Sequence, residues 1–242
     1  MQVFFHNWDN TASAPPAASA PACDQVQVWL ATVPPDDTDI STLTLTLSQD
    51  ERKRAERFKI DQPRRQFVFA HHCLRQLLGA VLGVEPRSLI FGSRANGKPC
   101  LAPSTDLRFN LSHSGRLVAI ALTRGREVGV DIEWMHPLAD WRQLAGRIFS
   151  PREQETLFAL PESQQSAAFF NGWTRKEAWL KATGEGLTDA LPAIEVTLAP
   201  GKVPAWISLP GGQNVLQQWT LYDLPLPDGY AGAVVLQDPS RI

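Results

Sequence analysis

Cysteine is scarce in this chain. Cys23, Cys73 and Cys100 are three in 242 residues, far apart and without a CxxC pair. That excludes a zinc ribbon and a disulfide framework, and reduced thiols in a cytosolic protein are the expectation. Charge of one sign is lacking too: 23 Lys and Arg against 25 Asp and Glu leave a net charge of −2. General nucleic-acid binders carry a clear basic excess, so no nucleic-acid partner is expected. No apolar run reaches the roughly 20 residues of a membrane helix. The N-terminus has neither the basic start nor the apolar stretch of a signal peptide. The expectation is therefore cytoplasmic, with no membrane partner.

What is present is enough to build a core. Hydrophobic residues make up 43% of the chain, with eight Trp and eleven Phe. The length suits one large domain or two halves packed together. Residues 10–22, NTASAPPAASAPA, are small and without periodicity, so 1–25 reads as a flexible Ala/Pro-rich lead-in. Ordered structure is expected from Val26, in the alternating run VQVWLATV. Ser48, with Glu51 three residues on, writes a capping box at the start of a short helix over 48–58. A longer helix follows over 63–82, with Pro63 in its first turn and an apolar face of Phe67, Cys73, Leu74, Leu77, Leu78 and Val81. Gly83 ends it. SLIFG, GKPCL, LRFNLS and LVAIAL then read as strands.

The second half repeats the plan. FSPRE at 149–153 echoes LSQDE at 47–51 with an offset of 102 residues, and FFNGWTRKEAWLKATG echoes FVFAHHCLRQLLGAVLG at nearly the same offset. YAGAVVL at 230–236 stands as a late apolar strand, like LVAIAL at 117–122. The pattern predicts an α+β fold of two similar halves, 26–124 and 125–242, related by a pseudo-twofold with the active site in the cleft between them.

Three stretches carry the chemistry. In GVDIE at 129–133, Asp131 and Glu133 share one face of a strand. Paired carboxylates repel unless a positive group lies between them, and oxygen-only ligands suit Mg²⁺ or Mn²⁺. Taken alone, so short a motif is more often an exposed strand edge. On the helix over 165–183, Trp173, Glu177 and Lys181 fall on one stripe, four residues apart. A surface ion pair is the plain alternative, but Trp173 on the same stripe argues against full solvation. In FNLSHSG at 109–115, Ser112 and His113 are neighbours in a strand and point to opposite faces, so they are not a nucleophile–base pair. His113 suits a donor to an anion or a carbonyl, although taken alone such a residue is more often a structural histidine. The basic groups Arg52, Lys53, Arg54, Arg57, Arg64 and Arg65, with Arg94 and Lys98 around the turn RANGKP, could meet a polyanionic ligand.

Together GKP at 97–99, FNLSHSG, GVDIE and WTRKEAWLKATGEGL at 173–187 resemble the 4′-phosphopantetheinyl transferases of the surfactin type, in order and spacing, from about residue 26 to the end. The resemblance implies transfer of the phosphopantetheine arm of coenzyme A to a serine of an acyl or peptidyl carrier protein, with Mg²⁺ and release of adenosine 3′,5′-bisphosphate. It implies Asp131, Glu133 and Glu177 as metal ligands and Glu177 as base for the serine. It implies Lys181 against the developing phosphate charge, and Arg54, Arg94, Lys98, Ser112 and His113 around coenzyme A. Some relatives carry a basic residue where this chain has Glu51, and Arg52 or Arg65 is the expected substitute. Carrier docking is expected near 150–158 and in the loop before the long helix. A monomer is expected. The rivals are a Mg²⁺-dependent phosphodiesterase or nuclease, against which Met135 stands where a common nuclease motif has lysine, and a non-catalytic binding module, against which the intact carboxylates and lysine stand.

Overall fold

The computed structural model describes residues 2–8, 15, 18–185 and 191–238. Residues 10–14 and 16–17 of the lead-in, and Gly186 and Leu187 of the last motif, lie outside the described residues. The mix of helix and sheet is that of an α+β fold. The chain divides into two compact units, residues 1–95 with 99–125, and 96–98 with 126–242.

The first unit is built on a four-stranded sheet of order β1-β2-β6-β5. Strands β1 (Gln2–Trp8) and β2 (Gln25–Thr32) pair in parallel, with Gln2 opposite Gln25. This departs from the expected flexible lead-in. The strand owes its existence to pairing with β2 and to Trp8, which is buried in the core, rather than to its own weak alternation. Helix α1 (Gln49–Glu56) begins with the predicted capping box, Ser48 with Glu51. Helix α2 (Asp61–Leu82) ends at Gly83, whose φ of 68° is the left-handed cap a side chain would resist. Its buried Phe69, Cys73, Leu74, Leu77 and Leu78 pack with Trp29, Ile120 and Leu122 of the sheet. The hairpin β3 (Ile90–Ser93) and β4 (Pro99–Ala102) brackets the turn at Arg94–Lys98. Strands β5 (Leu107–Ser114) and β6 (Leu117–Arg124) are antiparallel neighbours.

The second unit also sets a short helix and a long helix with a sheet, here of three strands. Strand β7 (Val128–Trp134) leads to α3 (Trp141–Ile148), α4 (Pro151–Ala159) and α5 (Glu162–Thr183). A small hairpin of β8 (Glu195–Val196) and β9 (Trp206–Ser208) follows, then α6 (Gln213–Gln217), β10 (Trp219–Asp223) and β11 (Tyr230–Gln237). The sheet order is β10-β11-β7, antiparallel throughout. Helix α5 packs on β7 and β11, and Phe169, Ala178, Trp179, Ala233 and Val235 share one core.

The repeat reaches individual atoms. Helix α4 starts with its own capping box, Ser150 with Glu153, at an offset of 102 from Ser48 and Glu51. Both long helices have 22 residues. In each unit the N3 glutamate of the short helix binds a buried cation on the long one: Arg75 Nε to Glu51 at 2.6 Å, and Lys176 Nζ to Glu153 at 2.6 Å. Arg75 donates also to the carbonyls of Pro86 and Leu89, and Lys176 to those of Ile148 and Leu191. Leu89 and Leu191 are again 102 apart.

Candidate active site

The site begins with a glycine. Val128, Val130 and Ile132 of β7 are buried on one face, which leaves Gly129, Asp131 and Glu133 on the other. A Cβ on Gly129 would stand 2.0 Å from the Ala178 carbonyl oxygen and 2.4 Å from the Ala182 nitrogen. The strand and α5 therefore touch backbone to backbone at this point, a distance only glycine permits. That close approach carries Asp131 and Lys181 together: Lys181 Nζ donates to Asp131 Oδ1 at 2.6 Å.

Glu177 lies one turn before Lys181, and Trp173 one turn earlier packs on the core, so the stripe is half-buried as expected. Glu177 Oε1 is buried and has no hydrogen-bond partner among the described residues. Burial raises its carboxyl first, and repulsion from Asp131 and Glu133 adds to this against the pull of Lys181, pushing it up to about 7. At Glu177 the pull of Lys181 thus does not offset burial and the two neighbouring carboxylates. Among the described residues no three His, Cys, Asp or Glu side chains are already arranged to hold a metal ion. Asp131 turns one oxygen to Lys181 instead. The donor set is all oxygen, and the orphaned Glu177 oxygen has no other occupation; both fit a hard divalent cation.

The remaining candidates are distributed as follows. Ser112 is buried and His113 exposed on β5, the opposite facing that strand geometry requires. Arg54 is exposed on α1, its guanidinium 5.0 Å from the Phe67 ring centre. Arg94 is half-buried at the start of the β3–β4 turn. Lys98 differs from expectation. It belongs to the second unit, is buried, and its ammonium donates to Glu127 Oε2 at 2.9 Å and to the carbonyls of Val128 at 2.9 Å and Ala182 at 2.7 Å. Three donors meet three acceptors, so the protein itself satisfies the ammonium.

Glu51 also has an explanation that the sequence did not show. Burial opposes its charge, but hydrogen bonds from His71, Arg75 and the Ser48 N–H win and bring its carboxyl down to about 2. It is a structural anion. Neither suggested substitute for a basic group there is idle: Arg52 donates to the carbonyls of Leu47 and Leu45, and the buried Arg65 to those of Pro35 and Thr38.

Two apolar hollows lie in the second unit. One, of about 390 Å³, is lined by Met135, His136, Leu138, Trp141, Phe169 and Phe170. The other, of about 230 Å³, is lined by Val196, Leu198 and Ile207 and edged by Arg152 and Lys202. No helix among the described residues is long and apolar enough to cross a membrane.

Comparison with known proteins gives a consistent picture. Residues 127–235 match the 4′-phosphopantetheinyl transferase superfamily, and residues 32–124 match a 4′-phosphopantetheinyl transferase N-terminal family. The 4′-phosphopantetheinyl transferase HetI of a Nostoc strain is 38% identical over 88% of each chain. A 4′-phosphopantetheinyl transferase of Bacillus subtilis is 32% identical over 69% of this chain and 73% of its own. A solved holo-[acyl-carrier-protein] synthase of Thermotoga maritima shares 20% identity at a TM-score of 0.36, over 46% of this chain and 62% of that one.

Proposed function

The chain belongs to the 4′-phosphopantetheinyl transferase superfamily, and from that premise we propose how its residues carry the reaction. The enzyme transfers the phosphopantetheine arm of coenzyme A to a carrier protein. Asp131, Glu133 and Glu177 would hold Mg²⁺, with Mn²⁺ as a substitute. Bound there, the ion would supply charge neutralisation at the pyrophosphate. The observation that carries this reading is the buried Glu177 oxygen, without a hydrogen-bond partner among the described residues, beside two further carboxylates.

Glu177 takes the proton from the carrier serine, directly or through a water. The serine oxygen then bonds to the phosphorus that bears the pantetheine arm. The bond from that phosphorus to the bridging oxygen breaks, and adenosine 3′,5′-bisphosphate leaves. Lys181, close to the reacting charge, stabilises the phosphate oxygens, and its bond to Asp131 fixes its position. Arg54, Arg94, Ser112 and His113 hold coenzyme A.

The carrier docks at the second hollow, where Arg152, from the predicted 150–158 region, and Lys202 flank apolar Leu198 and Ile207. An acidic helix with apolar residues complements such a surface. The protein acts as a cytoplasmic monomer.

Mass spectrometry of an apo carrier incubated with the protein, coenzyme A and Mg²⁺ tests the whole. A gain of about 340 Da on the carrier is expected from the covalent transfer. Asp131→Ala and Glu177→Ala should each lower turnover by roughly 10³-fold or more with the fold intact. Near-wild-type turnover in both would remove the site assignment while leaving the transfer itself standing.

A further inference from the structure

We propose that Lys98 is a positioning residue for the carboxylate site, acting as a buried clasp between the two elements that carry it. The proposal rests on reading Asp131, Glu133 and Glu177 as the active site. Val128 opens β7, three residues before Asp131, and Ala182 follows Lys181 on α5. The Lys98 ammonium donates to the carbonyls of both, at 2.9 and 2.7 Å, with the Glu127 carboxylate at 2.9 Å as counter-charge.

Helix physics explains why a lysine serves here. The last four carbonyls of α5 have no partner within the helix, and that end carries partial negative charge. Asn96 Nδ2 takes the Thr183 carbonyl at 2.8 Å, and Lys98 takes that of Ala182. Asn96 Oδ1 in turn accepts from the Lys98 N–H at 3.2 Å, which shapes the turn. Gly184 has a φ of 79°, and a Cβ there would fall 2.1 Å from Asn96 Nδ2, so the helix end is built to receive this turn. The side chain of Lys98 is only 4% exposed. The clasp and the contact at Gly129 together set where Asp131 meets Lys181. A displacement of about 1 Å in such a site can cost roughly 10²-fold in rate.

The test is Lys98→Met, which keeps length and removes the charge, with Asn96→Ala as a milder variant that loses the Thr183 contact and the Lys98 N–H contact but keeps the ammonium. Two measurements are made: steady-state transfer to an apo carrier, and Mn²⁺ binding by electron paramagnetic resonance without coenzyme A. In Lys98→Met, kcat should fall roughly 10²-fold with KM for coenzyme A changed less than about twofold, the pattern of lost positioning. Mn²⁺ affinity should weaken about tenfold, as when a residue supporting metal ligands is removed. Asn96→Ala should show the same pattern at about a threefold scale, and decides the matter if Lys98→Met does not fold. A rise in KM for coenzyme A at constant kcat would make Lys98 a phosphate contact and overturn the proposal. So would unchanged kcat and Mn²⁺ affinity in both variants. If the wild type binds Mn²⁺ and Lys98→Met weakens it, yet no carrier is modified, the transferase mechanism fails and the clasp stands.

Discussion

Glu177 is held in a state that its own chemistry resists. Its carboxyl is pushed up to about 7 by burial and by Asp131 and Glu133. Between its ordinary value and about 7 the native state binds more protons than the unfolded one. Stability from this group is therefore present at low pH, declines as pH rises through that window, and is lost above about 7. In metal-free protein the unfolding temperature should fall from about pH 5 to about pH 8, and Glu177→Gln should flatten that slope. Added Mg²⁺ should raise the unfolding temperature more at the alkaline end, because ligand carboxylates must be ionised. An unchanged slope in Glu177→Gln, followed by calorimetry, would show that the charge cluster is not what strains this site. The acidic residues were legible in the sequence because side-chain period is a local property: alternation puts Asp131 with Glu133, and helical spacing puts Glu177 with Lys181. The partners of Lys98 were not legible for the complementary reason. A lysine in a Gly-Pro turn looks like a free cation, and its three acceptors lie 29, 30 and 84 residues away.

At the level of elements, the site depends on how closely β7 and α5 approach. Gly129 and Gly146 separate that requirement from glycine content as such. A Cβ at Gly129 meets Ala178 O at 2.0 Å, whereas at Gly146 within α3 it meets nothing within 4 Å. Gly129→Ala should destabilise the protein by about 3 kcal/mol or more, since backbone rather than a flexible side chain must move. It should also lower transfer activity by separating Asp131 from Lys181. Gly146→Ala should stabilise by about 0.5–1 kcal/mol through helix propensity. Urea unfolding of the two variants checks the contrast, and similar effects in both would count against the close contact. The short and long helix of the first unit and the long helix of the second were readable because they carry their own signals, Ser48 and Glu51 at one start and Gly83 and Gly184 at the two ends, whereas α3 and α6, which have no side-chain cap, were not. Strand β1 was not. QVFFHNW has no clean alternation, and Phe4 and Phe5 remain 38% and 42% exposed, so only pairing with β2 reveals it.

Across the whole molecule, the repeat is a repeat of interactions more than of sequence. The equivalent cations are an arginine and a lysine, yet each joins the capping glutamate of a short helix to two carbonyls. The motifs FSPRE and LSQDE showed the caps, but the partners Arg75 and Lys176 lie too far along the chain for a local pattern to connect them. The two pairs differ in their electrostatics. Hydrogen bonds from His71 and Arg75 bring Glu51 down to about 2, whereas burial outweighs Lys176 and raises Glu153. Arg75→Met and Lys176→Met should each cost about 3–5 kcal/mol at neutral pH, the usual penalty for stranding a buried charge. In Lys176→Met the stranded Glu153 can take up a proton. Its folded value then lies still further above its unfolded one, so the loss should shrink as pH is lowered and grow as pH rises. Glu153→Gln in the Lys176→Met background should recover part of the stability and abolish that pH dependence. Urea unfolding at several pH values measures both. A Lys176→Met variant as stable as Lys202→Met, which alters an exposed lysine, would mean that the buried pair does not hold the second unit as its counterpart holds the first.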